Sequence, residues 1–533
     1  DAVRWATASR NPFLLLYMRT SPYTRLACMT ADSINPMLSM RTTVGGHFPR
    51  FTRVSSRRQF RSVWGGTLLF ALLLGGCASY QPRPLIPSRE AAALQARDVN
   101  AAGLRAFLAA HGQTVTPWPL PTWDLSSLTL LALYDNPQFK VARAQWQRAR
   151  AGTETAAQLP NPSLHLFQQH HSLAPAGLSP WSYGLALGIP LQSTGLRQAR
   201  VAQAHALADA ADLELAAAAW QIRSTVRVRF VGLDAARRNV DLLKSEVALR
   251  KTALRLLQRQ YALGAITAST LTMAHIQEER AQSAVLSAQG QVADQRAALA
   301  GILGLPLDAL AHLRLDFSGI QNPPTGKHLP SPAVQRAALL DRLDIRTALD
   351  QYSAAEAGLR LEIAKQYPQF QLGPGYEWDQ GDQRWTLGLS LSLPVFNQNQ
   401  GQIAEAEARR VEVAARFEVL QLHVLTQVER GMAAYQNSVQ TWNATNHIVA
   451  VQQQEAQQIS AQFAAGEIDR LAVIRAQLQT VVAKRDRLTA QVESEHALGR
   501  LEDAVQQPLE GGTPLPPVAT LGPRQAPHDK QGS

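Results

Sequence analysis

The chain has 533 residues, enough for several domains, with 52 basic against 41 acidic side chains and 46% apolar residues. Its net charge of +11 points at first to an anionic partner, but residues 1–76 alone hold ten arginines and two acids. The remainder is close to neutral, so nucleic acid is not expected as a partner.

In chain order, residues 1–39 precede Met40 and are read as an upstream extension or gene-model artefact. Residues 40–76 read as a lipoprotein signal peptide: Arg53, Arg57, Arg58 and Arg61 precede the mostly apolar stretch 63–74, and "LLGGC" ends at Cys77. An apolar core of about a dozen residues is too short to span a bilayer. Leu74, Gly75 and Gly76 before Cys77 resemble a bacterial lipobox, which implies acylation of Cys77. Ala78 stands where the inner-membrane retention signal would place Asp, which implies sorting to the outer membrane. The other cysteine, Cys28, lies upstream, leaving no disulfide and no cysteine cluster for metal in the mature chain. No run of 18 apolar residues exists, so no helical membrane span is expected. Residues 77–124 carry scattered prolines and one expected short helix.

The rest of the chain is written twice. Gly152 and Pro162 match Gly358 and Pro368, both 206 apart; Trp181 and Pro190 match Trp385 and Pro394, both 204 apart; Gly264 matches Gly466, 202 apart. Each copy reads helix, strand, strand, long helix, helix. The first copy spans 125–303, with a helical region over 125–158 broken near Asn136–Pro137, strands over 163–169 and 182–189, and a long helix over 193–263. Gly264 ends that helix, and Thr267 or Ser269 caps the returning one. A proline-rich linker covers 304–332. The second copy spans 333–508: helix 333–366, strands 369–378 and 384–393, long helix 398–464, a turn at Gly466 and an N-cap at Asp469. The tail 509–533 reads as disordered.

A helix of about 70 residues makes a rod of roughly 100 Å, far beyond a routine globular element. In the strands Leu185, Leu187, Trp385, Leu387, Leu389 and Leu391 alternate with Gly, Ser, Thr and Ala. Such a two-faced strand fits either a transmembrane barrel or a hairpin resting on a soluble bundle. Four strands cannot close a barrel, and open edges are not tolerated in lipid, so in the barrel reading several chains pool strands; three give twelve and a bore.

The lipobox, the duplicated halves, the strands ending in proline and hairpins turning on "F/Y-x-x-G" resemble the TolC family of outer-membrane efflux proteins. The resemblance covers about residues 80–508. It implies an α+β membrane protein: a homotrimer in which each chain adds four strands to a twelve-stranded barrel set in outer-membrane lipid, continued by an α-helical periplasmic tunnel. It implies a periplasmic membrane-fusion adaptor and an inner-membrane pump of the RND type as partners, no cofactor, no enzymatic activity, and passive export of metal ions or drugs. "PQFQLGPGYEWDQG" and "LPVFNQNQGQIAEAEARR" look most like members serving cobalt–zinc–cadmium resistance pumps. The tips Tyr261, Leu263, Gly264 and Ile266, and Phe463, Gly466, Glu467 and Ile468, match those the family presents to the adaptor. Relatives often place gating acids six and nine residues after the second tip glycine; here those positions are Ala472 and Arg475, with Asp469 nearer the mouth.

No metalloprotease, nucleophile-elbow, phosphate-loop or dinucleotide motif is present. His170–His171 and the row Arg223, Arg227 and Arg229 are read as solvated. Two other readings stay open: a duct for type I protein secretion, and a periplasmic coiled-coil scaffold lipoprotein that does not conduct.

Overall fold

The computed structural model describes residues 80–321, 332–509 and 515–517. The upstream extension, the signal peptide and Cys77 lie outside the described residues, as does most of the tail. Asp1–Pro84 and Leu85–Ser533 form two units; residues 80–84 are irregular and exposed, and every described helix and strand belongs to the second unit.

Two short helices, α1 (Pro87–Gln95) and α2 (Ala102–Ala110), stand where one was expected. Pro87 occupies the first turn of α1, where its missing N–H costs nothing, so this proline begins a helix instead of preventing one. The first repeat then runs α3 (Leu125–Asp135), α4 (Pro137–Ala157), β1 (Ser163–His170), β2 (Trp181–Leu191), α5 (Thr194–Ala262) and α6 (Ala268–Leu303). Asp124 and Ser127 form a reciprocal capping box at α3. Asn136 separates α3 from α4 and caps the latter. Thr267, not Ser269, caps α6 by accepting from Thr270 N–H.

In the described part of the linker, α7 (Leu307–Ala311) and a short 3-10 turn (Ser318–Ile320) follow, and Leu315 pairs with Trp123 in a parallel bridge. The second repeat runs α8 (Pro332–Asp341), α9 (Leu343–Ala364), β3 (Phe370–Asp379), β4 (Asp382–Leu391), α10 (Gln400–Ala464) and α11 (Arg470–Val505). The single helix expected over 333–366 is broken at Arg342. Its buried guanidinium donates to Ala504 O at 2.6 Å and pairs with Asp344 at 2.7 Å, tying the bend to the end of α11.

The strands form one antiparallel sheet in the order β1-β2-β3-β4, each strand within two residues of its expected bounds. Helix α5 packs against α4, α6, α9 and α11, while α10 packs against α9 and α11. The largest core joins α2, α3, α5, α6 and the linker through Phe107, Leu131, Phe230, Leu299, Leu303 and Ile320. Each such side chain contributes about 1.5–3 kcal/mol when buried. Along the rods the buried positions are often alanine, as at Ala199, Ala208, Ala211 and Ala219, which lets helix axes approach closely. Among the described residues no helix is long and apolar enough to cross a membrane.

Candidate functional site

Strand register assigns every side chain of the sheet to a face. Leu164 opposes Leu187, Leu166 opposes Leu185, and Leu185 opposes Tyr376. Tyr376, Pro374, Leu372 and Phe370 oppose Trp385, Leu387, Leu389 and Leu391. One continuous face is thus Leu, Ile, Tyr, Trp and Phe across all four strands. Trp385 is 80% exposed, Leu387 74% and Leu389 61%; Leu185 and Leu391 are also exposed and Leu187 is half-buried. A hairpin laid on its own bundle would bury these leucines, so that alternative is not what the chain adopts.

The opposite face is small and polar: Gly184, Ala186 and Gly188 on β2, Gly373 and Gly375 on β3, and Thr386, Gly388 and Ser390 on β4. Phe167 is its main apolar member, lying across the backbone of Gly184. The outermost strands β1 and β4 are exposed along their whole lengths, and among the described residues neither sheet edge has a partner.

Two features at the far end of the sheet escaped the sequence reading. Trp181, Tyr183 and Trp378 stack in a row on the apolar face, with Tyr376 against Trp385 beside them. Clustered aromatics at one end of an apolar band are the signature of a membrane–water interface. On the polar face, Ser182 is fully buried; it donates to Asp379 and accepts from His171 Nε2 at 2.7 Å. Arg384 pairs with the same Asp379 at 2.7 Å. His171 is therefore committed, correcting the expectation that it is solvated, whereas His170 ends β1 exposed, with its ring edge-on to Trp181. Alternation puts Asp379 and Ser182 on polar faces of their own strands, but only the register pairs them. Gln380 and Gly381, both at positive φ, make the tight turn between β3 and β4.

At the other end of the rods the two hairpins turn on Gly264 (φ +72°) and Gly466 (φ +81°). Tyr261 is exposed, Leu263 is 84% exposed, and Phe463 is exposed at 37%. Gly264, Gly466 and Glu467 are exposed, whereas Ile266 and Ile468 are half-buried. Asp469 accepts from Ala472 N–H at 2.8 Å and so caps α11. Ala472 is half-buried and Arg475 is exposed on the same helix, so the three positions share one element.

Midway along the rods Arg223 and Arg227 are buried, correcting the expectation of a solvated face. Arg223 pairs with Glu502 at 3.1 Å and Arg227 with Glu495 at 2.8 Å. Arg229, two residues on and nearly on the opposite side of the helix, is half-buried. Among the described residues no cluster of three or more His, Cys, Asp or Glu could hold a metal ion.

The family model described as outer membrane efflux protein matches residues 128–305 and 334–505, one match per repeat. The chain belongs to the outer membrane efflux protein family. That family works in the outer membrane of Gram-negative bacteria and reaches into the periplasm. The resemblance drawn from the duplicated motifs is borne out. The cobalt-zinc-cadmium resistance protein CzcC of Cupriavidus metallidurans is 24% identical over 289 residues, 53% of this chain and 65% of the relative. The pyoverdine export outer membrane protein OpmQ of Pseudomonas aeruginosa is 25% identical over 424 residues, 74% of this chain and 84% of the relative. The crystal structure of VceC from Vibrio cholerae superposes with a TM-score of 0.59 at 21% identity, covering 72% of this chain and 97% of that one. VceC shares the fold of this outer membrane efflux protein: barrel strands continued by a helical tunnel.

Proposed function

We propose that the chain is the exit duct of a tripartite efflux system, a homotrimer that passively conducts solutes from a periplasmic adaptor and an inner-membrane pump to the exterior. The observation that carries this reading is the four-stranded sheet, apolar and exposed on one face, small and polar on the other, with both edges unpaired. Unpaired backbone N–H and C=O groups cost several kcal/mol each in lipid, so the edges must be closed by other copies. Three chains bring twelve strands and leave a bore lined by Gly, Ser, Thr and Ala, whereas two bring eight and fill their interior with side chains. The rods begin within a few residues of β2 and β4, so the bore runs on into the tunnel.

In this reading Leu185, Leu187, Trp385, Leu387, Leu389 and Leu391 face lipid. The tips around Gly264 and Gly466 meet the adaptor, and Asp469, Ala472 and Arg475 lie at the periplasmic mouth as the gate. Cys77 carries the lipid anchor after removal of residues 40–76, the two working repeats are 125–303 and 333–508, and the driving energy comes from a pump of the RND type. Heavy-metal ions or drugs are the proposed cargo. CzcC supports the metal class by its name and OpmQ supports a larger organic cargo, so the partner pump sets the choice.

The test is single-channel conductance in planar bilayers together with the mass of the detergent-solubilised protein. A trimeric mass with stepwise conductance is expected. A monomer that stays in water without detergent, or a trimer that does not conduct, overturns the duct in favour of the scaffold reading.

A further inference from the structure

The two hairpin tips share one backbone and differ in chemistry. In the first, Leu263 N–H donates to Arg259 O, Gly264 N–H to Tyr261 O and Ala265 N–H to Gln260 O, at 3.2, 2.9 and 2.8 Å. In the second, Ala465 N–H donates to Ala461 O, Gly466 N–H to Phe463 O and Glu467 N–H to Gln462 O, each at 3.0 Å. The pattern is the same bond for bond, and the six-residue closure is that of a Schellman turn. The side chains are not the same. Residues 260–277 contain no Asp, Glu, Lys or Arg, whereas the matching 462–479 contain Glu467, Asp469, Arg470 and Arg475. Leu263 stands against Ala465, Ala265 against Glu467, and Met273 against Arg475.

The turn itself accounts for none of these differences. Ala465 makes the same hydrogen bond as Leu263, so the turn does not need a leucine there, yet Leu263 holds 84% of its surface in solvent beside an exposed Tyr261. Thr267 and Asp469 cap their helices in the same way, each accepting from the amide three residues on, so the cap does not need a charge. Both tips keep an exposed aromatic, Tyr261 or Phe463, so the difference is the exposed Leu263 at one and exposed charge of both signs at the other. Folding of the chain does not explain these features and contact with a partner does.

We propose that the two tips address different surfaces of the same periplasmic adaptor. The first inserts Leu263, flanked by Tyr261, into an apolar pocket and supplies most of the affinity. The second lays Glu467 and Arg470 against complementary charges and sets orientation. This assignment rests on the exit-duct reading above. Removing a leucine from water on binding is worth roughly tenfold or more in affinity, whereas exposed charge pairs contribute about two- to fivefold and are screened by salt.

The test uses the full-length chain in detergent micelles and, as probe, a purified soluble periplasmic adaptor from the same organism, with binding measured at low and high salt. Leu263→Ser is expected to weaken binding by roughly tenfold at both salt levels. Because residue 263 is exposed, the melting temperature should not move. The double variant Glu467→Gln with Arg470→Gln is expected to lose only about two- to fivefold at low salt and to flatten the salt dependence. Wild-type binding that survives Leu263→Ser unchanged, or that is damaged more by the charge variant, overturns the assignment while leaving the duct intact. An adaptor that fails to bind even the wild-type chain overturns the duct reading beneath it.

Discussion

Arg227 Nη1 donates to Glu502 Oε2 at 3.4 Å across 275 positions of sequence, and the two side chains are 9% and 1% exposed. The same oxygen accepts from Arg223 at 3.1 Å, and Glu502 Oε1 accepts from Leu509 N–H at 3.0 Å. One carboxylate therefore compensates two buried guanidiniums where α5 meets α11. Glu502→Gln should cost about 3–5 kcal/mol, because it leaves the buried Arg223 without its carboxylate in low dielectric, while Arg227 keeps Glu495. Arg500→Gln breaks an exposed pair with Glu493 and should cost less than about 1 kcal/mol. Chemical denaturation of the two variants side by side checks the contrast, and equal costs refute it.

That pair also marks where the sequence stopped being informative. Strand alternation, the matched tip glycines, the break at Asn136–Pro137 and the cap at Asp469 depend on residues within a few positions of one another, and those were legible. Whether Arg223 and Arg227 face water depends on which part of α11 lies alongside, and no local pattern encodes that. The same holds for the kink at Arg342, whose hydrogen-bond acceptor, Ala504 O, lies 162 residues away. The apolar face of the sheet was read directly, whereas the cluster of His171, Ser182, Asp379 and Arg384 needed the register of three strands. The prolines of the linker masked a segment that is held in place by Trp123 and by Phe317 stacked on Phe230.

Asn136 joins the ends of three helices. Its Oδ1 accepts from Gln138 N–H at 2.7 Å to cap α4, and its Nδ2 donates to Ile302 O at 2.7 Å in the last turn of α6. The residue is 2% exposed. Asn136→Ala should destabilise by about 1–3 kcal/mol, because a cap is lost and a buried carbonyl is left without its donor. Asn136→Ser keeps a neutral capping oxygen and loses the amide donor, so its melting temperature should fall between wild type and alanine.

Leu387 and Thr386 are neighbours on opposite faces of β4 and report what each face meets. Leu387→Arg should cost about 2–4 kcal/mol and lower the yield of assembled protein in the outer membrane. Thr386→Arg places the same charge over the small, polar face and should leave assembly near wild type while changing the ion preference of the pore. Heat-modifiable mobility on gels and bilayer conductance distinguish the two. Equal loss of assembly from both would show that the faces are wrongly assigned.

Gly184 has a steric reason to be glycine. A Cβ there would sit 2.1 Å from Cζ of Phe167, its cross-strand partner. Gly184→Ala should destabilise the sheet by about 1–3 kcal/mol through overpacking. Phe167→Ala in the same chain should restore much of that loss, since the ring is the obstacle. A double-mutant cycle on barrel unfolding gives the coupling directly, and additive effects would show that Phe167 is not the cause.

His496 sets an acid limit on the rods. Burial, reinforced by the Arg500 and Arg227 guanidiniums, holds its pKa below the usual histidine value against the pull of Glu493. The native chain thus resists a proton that the unfolded chain accepts at about pH 6.5. As pH falls through that value the unfolded state binds more protons, so stability drops until the pH reaches the native-state pKa of His496. Asp350 behaves oppositely: burial and the nearby Asp209 raise its pKa, so the native state takes a proton first on acidification and gains stability. That gain lies between the usual aspartate value of about 3.8 and the raised one. His496→Gln should therefore narrow the loss in melting temperature between neutral pH and about pH 5.5, where histidine dominates. A variant whose melting temperature falls as steeply as wild type over this range would assign the acid sensitivity to other groups.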